Sequence, residues 1–193
     1  MRKVVVSEFV SLDGVMEDPG GAEKTRHGGW SLSFFNAEHG KYKHDELFAS
    51  DALLLGRVTY QGFAAAWPSM KDEYGFADRM NGLPKFVVST TLKEVGWNNS
   101  RLIKGNIAEE VLKLKQQPGQ DILIAGSRQL VNTLMQHDLI DEYRMMVHPV
   151  VLGSGKRLFG DQSEKKVLKL VEAKTFSSGA IALCYRPDKT DRQ

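Results

Sequence analysis

Cysteine is nearly absent: Cys184 stands alone among 193 residues. A lone thiol excludes an internal disulfide and any multi-cysteine zinc site, and it fits a reducing cytoplasm. Charge of one sign is not in excess either. Lys and Arg total 26 against 24 Asp and Glu, a formal net charge of +2, too balanced to argue for nucleic acid or an acidic membrane surface as partner. No apolar run approaches the ~20 residues that span a bilayer. The N-terminal apolar run is cut by Ser7 and Glu8, too early for a secretory signal. His39 and His44 lie five positions apart, so one helical face does not easily present both to a metal, and no metal site is expected. Internal repeats and low-complexity segments are also missing.

What is present is an alternation of short apolar runs with amphipathic stretches, the pattern of an α/β chain with a largely parallel sheet and right-handed crossovers. Residues 3–10, 52–55, 85–88 and 121–125 have the length and composition of buried strands, with a minor one at 102–103. Residues 36–48, 57–66, 106–117 and 128–137 carry helical spacing, and 72–81 reads as a short amphipathic helix. A strand at 141–147 and runs at 167–176 and 180–185 around Ser177-Ser178-Gly179 predict an antiparallel C-terminal hairpin. One domain over residues 1–186 is expected, with a frayed polar tail at 187–193. Residues 15–33 form a long irregular stretch, of the kind that serves as a lid or is disordered. In and beside it Trp30, Phe34 and Phe35 argue for a loop packed over something apolar.

Two places join a buried strand to a helix through glycine. At Gly56-Arg57 the run Ala52–Leu55 stops and a helix begins. The N-terminal N–H groups, the helix dipole and a guanidinium there suit a phosphate, although a tightly packed joint with Arg57 in water has the same signature. Gly126-Ser127 repeats the pattern after residues 121–125, and two parallel anion-ready joints say more than one. Ser89-Thr90-Thr91 ends another strand with three hydroxyls, equally good as phosphate donors and as turn caps. Asp13 closes the first strand, at the edge of an open sheet where ligands gather; a turn carboxylate bonded to its own backbone is as good an account. Glu38, like Asp45, lies on the first helix, where a solvated charged face explains most polar residues.

Taken together, Ser11-Leu12-Asp13-Gly14, Gly56-Arg57-x-Thr59-Tyr60, Ser89-Thr90-Thr91, Ala125-Gly126-Ser127 and the run from His148 to Phe159 resemble, in order, the dihydrofolate reductase superfamily. Within it the chain is most similar to single-domain relatives of the C-terminal reductase domain of the bifunctional riboflavin-biosynthesis deaminase-reductase. The resemblance runs from about Arg2 to Tyr185, and the Pro149–Phe159 stretch is its most specific part.

The resemblance implies a dihydrofolate-reductase-like three-layer fold and a homodimeric, cytoplasmic reductase that takes NADPH and a pterin-like or pyrimidine-like substrate. A non-catalytic NADPH- or ligand-binding protein on the same scaffold is the alternative. Gly56, Arg57 and Thr59 would face the pyrophosphate and adenosine phosphate, and Ser89 and Thr90 the adenosine 2′-phosphate. Gly126, Ser127 and Arg128 would cradle the pyrophosphate. Asp13 would lie near the nicotinamide; an Asp, a Glu or a bound water could deliver the proton that accompanies hydride, and Asp13 is the best-placed carboxylate for it. Trp30, Phe34, Phe35 and Glu38 would line the substrate pocket. The chain also departs from its relatives. The glutamate that riboflavin reductases commonly carry two residues before the glycine aligned with Gly126 is Ile124 here, and the basic residue after Ser-Leu-Asp-Gly is Val15. For the pterin-holding carboxylate, Glu38 and Asp45 are the nearest candidates.

Overall fold

The structure is a computed structural model that describes residues 1–160 and 165–188. Its eight strands form one sheet. They are β1 (Val4–Ser11), β2 (Ser50–Gly56), β3 (Lys85–Val88), β4 (Ser100–Ile103), β5 (Asp121–Ala125), β6 (Glu142–His148), β7 (Leu168–Thr175) and β8 (Ile181–Pro187). The order across the sheet is β4-β3-β2-β5-β1-β6-β8-β7. All pairs from β4 to β6 are parallel, and the β6-β8 and β8-β7 pairs are antiparallel. This is the mainly parallel sheet with an antiparallel C-terminal hairpin that the sequence pattern predicts. Pro187 belongs to β8 rather than to a tail, and the Asp188 N–H donates to the Val167 carbonyl at 2.9 Å; residues 189–193 of the expected frayed tail lie outside the described residues.

Helices cover both faces of the sheet because its central strands are apolar on both sides. Val4, Val6, Leu54, Ile122 and Ile124 pack under α4 (Ile107–Gln116) and α5 (Arg128–Gln136). Val5, Leu53, Leu55 and Leu123 pack under α1 (Ala37–Phe48), α2 (Arg57–Ala66) and α3 (Phe76–Gly82) through Leu47, Tyr60 and Met80. Leu53, Leu54 and Leu55 are each 0% exposed; burying one such side chain stabilises the fold by about 1.5–3 kcal/mol. Local signals set the helix starts. Asn36 caps α1 by accepting from the His39 N–H at 3.1 Å, and Asn106 caps α4. Pro68 follows α2 within a 3-10 turn, where a proline stops a helix.

A charge closes the outer corner of the second layer. Lys85 is 0% exposed. Its Nζ donates to the carbonyls of Asn81 and Leu83 at 2.8 Å and of Asn98 at 3.0 Å, and lies 4.1 Å from the centre of the Trp97 ring. Trp97 in turn donates its backbone N–H to Tyr60 Oη and its indole N–H to Asn81 Oδ1.

Strand lengths shape the sheet's C-terminal edge. β5 pairs with β1 only as far as Ser7↔Ala125, while β1 stays paired with β6 as far as Ser11↔His148. Four residues of β1, Glu8 to Ser11, therefore run on beyond the end of β5. A notch opens there in the parallel sheet, flanked by the starts of α2 and α5.

Candidate active site

The two strand–helix joints lie side by side, because β2 and β5 are neighbours, and they interlock. A Cβ on Gly56 would fall 2.1 Å from Ser127 Oγ and 2.5 Å from Ser127 Cβ. A Cβ on Gly126 would meet Thr59 Oγ1 at 2.9 Å. Each joint thus seats a side chain of the other in the space a glycine leaves. Gly126 and Ser127 both hold left-handed backbone, with φ of +87° and +82°. That conformation is costly for a non-glycine residue such as Ser127. Ser127 Oγ turns in to accept from Leu130 N, the α5 cap.

A cleft of about 2140 Å³ opens at these joints. Pockets that hold a single drug-sized ligand measure roughly 300–1,000 Å³, so there is room for a dinucleotide and a second molecule. Thr59, Gly126, Ser127 and Arg128 line it, as do Glu8, Lys43 and Glu46; Met16, Pro19 and Gly20 of the long loop contribute further. The Arg128 guanidinium packs where Gly160 has no side chain, since a Cβ there would lie 2.5 Å away. The loop has an internal scaffold: buried Asp18 accepts from Glu23 N, Thr25 N and Thr25 Oγ1.

Glu8, Lys43 and Glu46 line the cleft and escaped the reading of the sequence. Glu46, buried at the cleft floor, pairs with Lys43 and accepts from Ser7 Oγ at 2.6 Å. Arg144 NH1 stands 3.6 Å from its other oxygen. Glu8, at the notch, is also buried, and its Oε1 accepts from Gly126 N–H at 2.9 Å. Burial pushes the Glu8 carboxyl up to about 8, against the smaller opposing pulls of the Gly126 bond and Lys43. The one signal for Glu8 in the sequence is a carboxylate, the only charge in a strand of valines, Phe9 and two serines.

The predicted residues divide. Thr59, Gly126, Ser127, Arg128 and Phe35 line the cleft. Gly56 lies against Ser127 rather than facing a ligand. Arg57 is exposed at the same edge, its guanidinium donating to Gln61 at 3.1 Å. Ser89 and Thr90 follow β3, whose Val88 pairs with Gly56. Ser89 is buried and caps its own turn through Thr91 N and Leu92 N, whereas Thr90 is exposed.

Asp13 is not brought into the cleft. Its carboxylate accepts from Ser11 Oγ at 2.6 Å, Leu152 N at 3.1 Å and Gly153 N at 2.9 Å. The Ser11 hydroxyl, then the two amides, hold it down to about 2. It is an acceptor that ties the end of β1 to the turn after β6, and an ionised carboxylate has no proton to donate. Trp30, Phe34 and Glu38 likewise serve packing. The Trp30 and Phe34 rings stand edge-on to buried His148 at 5.3 and 5.6 Å. Glu38 accepts from Ser177 N and Oγ. These contacts seat the long loop and α1 on the C-terminal strands. Ile124 is 0% exposed within the core under α4 and α5, so it cannot meet a ligand. The last residue of β5, Ala125, lines the cleft instead.

Comparison with known proteins shows a family and a fold. The RibD C-terminal domain family matches residues 2–182. YyaP, an uncharacterised protein of Bacillus subtilis (strain 168), is 34% identical over 187 residues, which cover 95% of this chain and 94% of YyaP. The diaminohydroxyphosphoribosylaminopyrimidine deaminase/5-amino-6-(5-phosphoribosylamino)uracil reductase of Thermotoga maritima superposes with a TM-score of 0.65 at 15% identity, over 97% of this chain and 57% of that one. A dihydrofolate reductase from Enterococcus faecalis, solved in complex with NADP(H), superposes with a TM-score of 0.58 at 14% identity, over 97% of both chains.

Proposed function

The chain belongs to the RibD C-terminal domain family, and from that premise we propose that it is an NADPH-dependent reductase acting on a small conjugated heterocycle of the pterin or pyrimidine kind. The observation that carries the reading is the pair of interlocked joints beside the notch at the sheet's C-terminal edge. Such an edge, with helix N-termini facing it, is where dinucleotides bind in open α/β sheets.

The residues present fit that cofactor. The backbone N–H of Gly126 is taken by Glu8 and that of Leu130 by Ser127 Oγ, so the first N–H groups of α5 and the Arg128 guanidinium would be the donors for a pyrophosphate. Gly126 and Thr59 keep the approach narrow. Arg57 and Thr90, exposed on the neighbouring strand ends, would read the 2′-phosphate, with buried Ser89 capping the turn that carries Thr90. When bound, the reduced nicotinamide supplies hydride; the protein's part is to orient the partners, exclude water and handle the accompanying proton. Fluorescence titration with NADPH and NADH tests the cofactor. Equal affinity of the wild type for both would remove the 2′-phosphate site, and NADPH binding without oxidation by any acceptor would leave the binding-only reading.

The substrate reading follows from β5. Leu123 and Ala125, its residues that line the cleft, have no hydrogen-bonding side chain. A polar aminouracil would leave a donor unpaired there, at a cost of about 1–3 kcal/mol. Weak or no turnover of the phosphoribosylamino-uracil is expected, and efficient turnover, near 10⁴ M⁻¹s⁻¹ or above on the order-of-magnitude scale of enzymes, would refute this selectivity. The proposal includes a two-fold homodimer. β7 is an edge strand whose Leu170 and Val171 are 50% and 46% exposed, and exposed apolar edges invite pairing. A monomer mass by light scattering at micromolar concentration would refute it.

A further inference from the structure

Among the described residues seven acids line the cleft, and six of these have their charge matched or dissolved in water. Lys43 bridges Glu46, Lys156 bridges Glu17 at 2.7 Å, and Lys41 bridges Asp45 at 2.6 Å. Asp18 and Asp72 accept backbone N–H groups, and Glu23 is exposed. Glu8 is different. Among the described residues no cation pairs with it, its one hydrogen bond is to Oε1 from Gly126 N–H, and its Oε2 has no partner. It is also the first residue of β1 beyond the last pair with β5, so it stands at the mouth of the notch. The charged groups facing it come from α1, Lys43 and Glu46, and these two are bonded to each other.

We propose that Glu8 is the proton donor of the reduction, with Oε1 held by the Gly126 N–H and the proton carried on Oε2 toward the ligand in the notch. The assignment rests on the reductase reading given above. A hydride acceptor needs a proton on the atom next to the carbon that is reduced. In this step the Glu8 O–H bond breaks and an N–H or O–H bond forms on the substrate. The two electrons come with the hydride of the reduced nicotinamide dinucleotide. Glu8 is left as a carboxylate and regains its proton from water in the open cleft. The geometry suits a neutral carboxyl: its carbonyl oxygen accepts the one donor provided, and its hydroxyl is left to donate. A buried acid without a cation keeps its proton, and Glu8 does so up to about 8, which is the condition for a general acid working at neutral pH.

The test compares the full-length wild type with Glu8→Gln, whose amide oxygen can still accept from Gly126 N–H but which has no acidic proton. In the infrared spectrum of the ligand-free protein at neutral pH, a protonated-carboxyl band should be present in the wild type and missing from Glu8→Gln. NADPH affinity should change by no more than about threefold, whereas the rate of NADPH oxidation should fall on the order of 10²–10⁴-fold. The acceptors are a 7,8-dihydropterin, an aminouracil and a benzoquinone. The wild-type rate should fall as pH rises through about 8, and this limb should vanish from Glu8→Gln. Glu8→Asp, an acid set back by one methylene, should keep the limb at a reduced rate. Loss of the band's dependence on Glu8, or an unchanged rate and pH profile in Glu8→Gln, overturns the proposal. NADPH binding by the wild type without reduction of any acceptor also overturns it while leaving the cofactor site in place; failure to bind NADPH removes the reductase reading itself.

Discussion

The two joints share a sequence pattern, an apolar strand, a glycine, a cation and a helix, yet they do different physical work. Gly56 has ordinary extended backbone, with φ of −78°. It is glycine because the side chain of Ser127 occupies the place of its Cβ. Gly126 and Ser127 turn through left-handed backbone, which aims the Gly126 N–H down at Glu8. Arg128 lines the cleft, whereas Arg57 stands outside it beside Gln61. The same motif therefore makes a spacer in one case and a cradle in the other. A strand–glycine–helix pattern announces where backbone comes close to something; the neighbouring strand decides what that something is.

The comparison can be broken at the glycines first. Gly56→Ala would drive a Cβ into Ser127, so it should destabilise the fold by about 1–3 kcal/mol, as overpacking does. Adding Ser127→Gly should recover most of that loss, because the opposing side chain is gone and glycine accepts the left-handed backbone. Urea denaturation of the two single variants and the double variant measures the coupling, and simple additivity would show that the joints do not interlock. The cations come next. Arg128→Ala should weaken NADPH and NADH together, by about tenfold to a hundredfold, the worth of a charge-assisted hydrogen bond. Arg57→Ala should weaken NADPH alone, by about tenfold, leaving NADH unchanged. Parallel losses for both cofactors in Arg57→Ala would place it on the pyrophosphate and erase the distinction. Added salt should shrink the Arg57 effect, since that residue is exposed.

The smallest effects should appear as pH-dependent stability, with opposite signs at the two carboxyls that flank the site. Glu8 has a raised value in the folded protein. Between its ordinary 4.5 and about 8 the folded chain holds a proton that the unfolded chain has lost. Its contribution to stability therefore declines as pH climbs through that window. Asp13 has a lowered value. Its contribution is present above its ordinary 3.8 and is lost as pH falls toward about 2. Glu8→Gln should flatten the first slope and Asp13→Asn the second, both read from denaturation midpoints across pH. Asp13→Asn should also speed amide exchange at Leu152 and Gly153, the N–H groups it holds.

Much of the architecture was legible because it is written locally. The helix expected at residues 57–66 is α2 as observed, since a glycine precedes it and Pro68 follows. The strands at 85–88 and 121–125 are likewise where their apolar runs put them. The placement of β5 between β2 and β1 is a long-range pairing that no local signal carries. The site was harder for the same reason. Trp30 and Phe34 were expected over a substrate because aromatic side chains announce burial; they do not announce against what, and here the surface is His148. Asp13 showed an acid at the right sheet edge, but its partners arrive from the turn at Leu152 and Gly153, far along the chain. Glu8 gave a sequence reader one charge in a largely apolar run, and its meaning depends on β5 ending where it does.

Lys85 has a use as an instrument. Its ammonium is enclosed by three carbonyl oxygens and a ring face, the surroundings of a captured ion, and nothing dissolved outside can touch it while that corner is shut. An amine-selective label will therefore modify Lys85 only during openings that part α3, β3 and the segment bearing Asn98 from one another. Exposed Lys71 provides the rate for an unhindered amine on the same molecule. The ratio of the two labelling rates is the fraction of time the corner stands open, obtained under native conditions and without a denaturant.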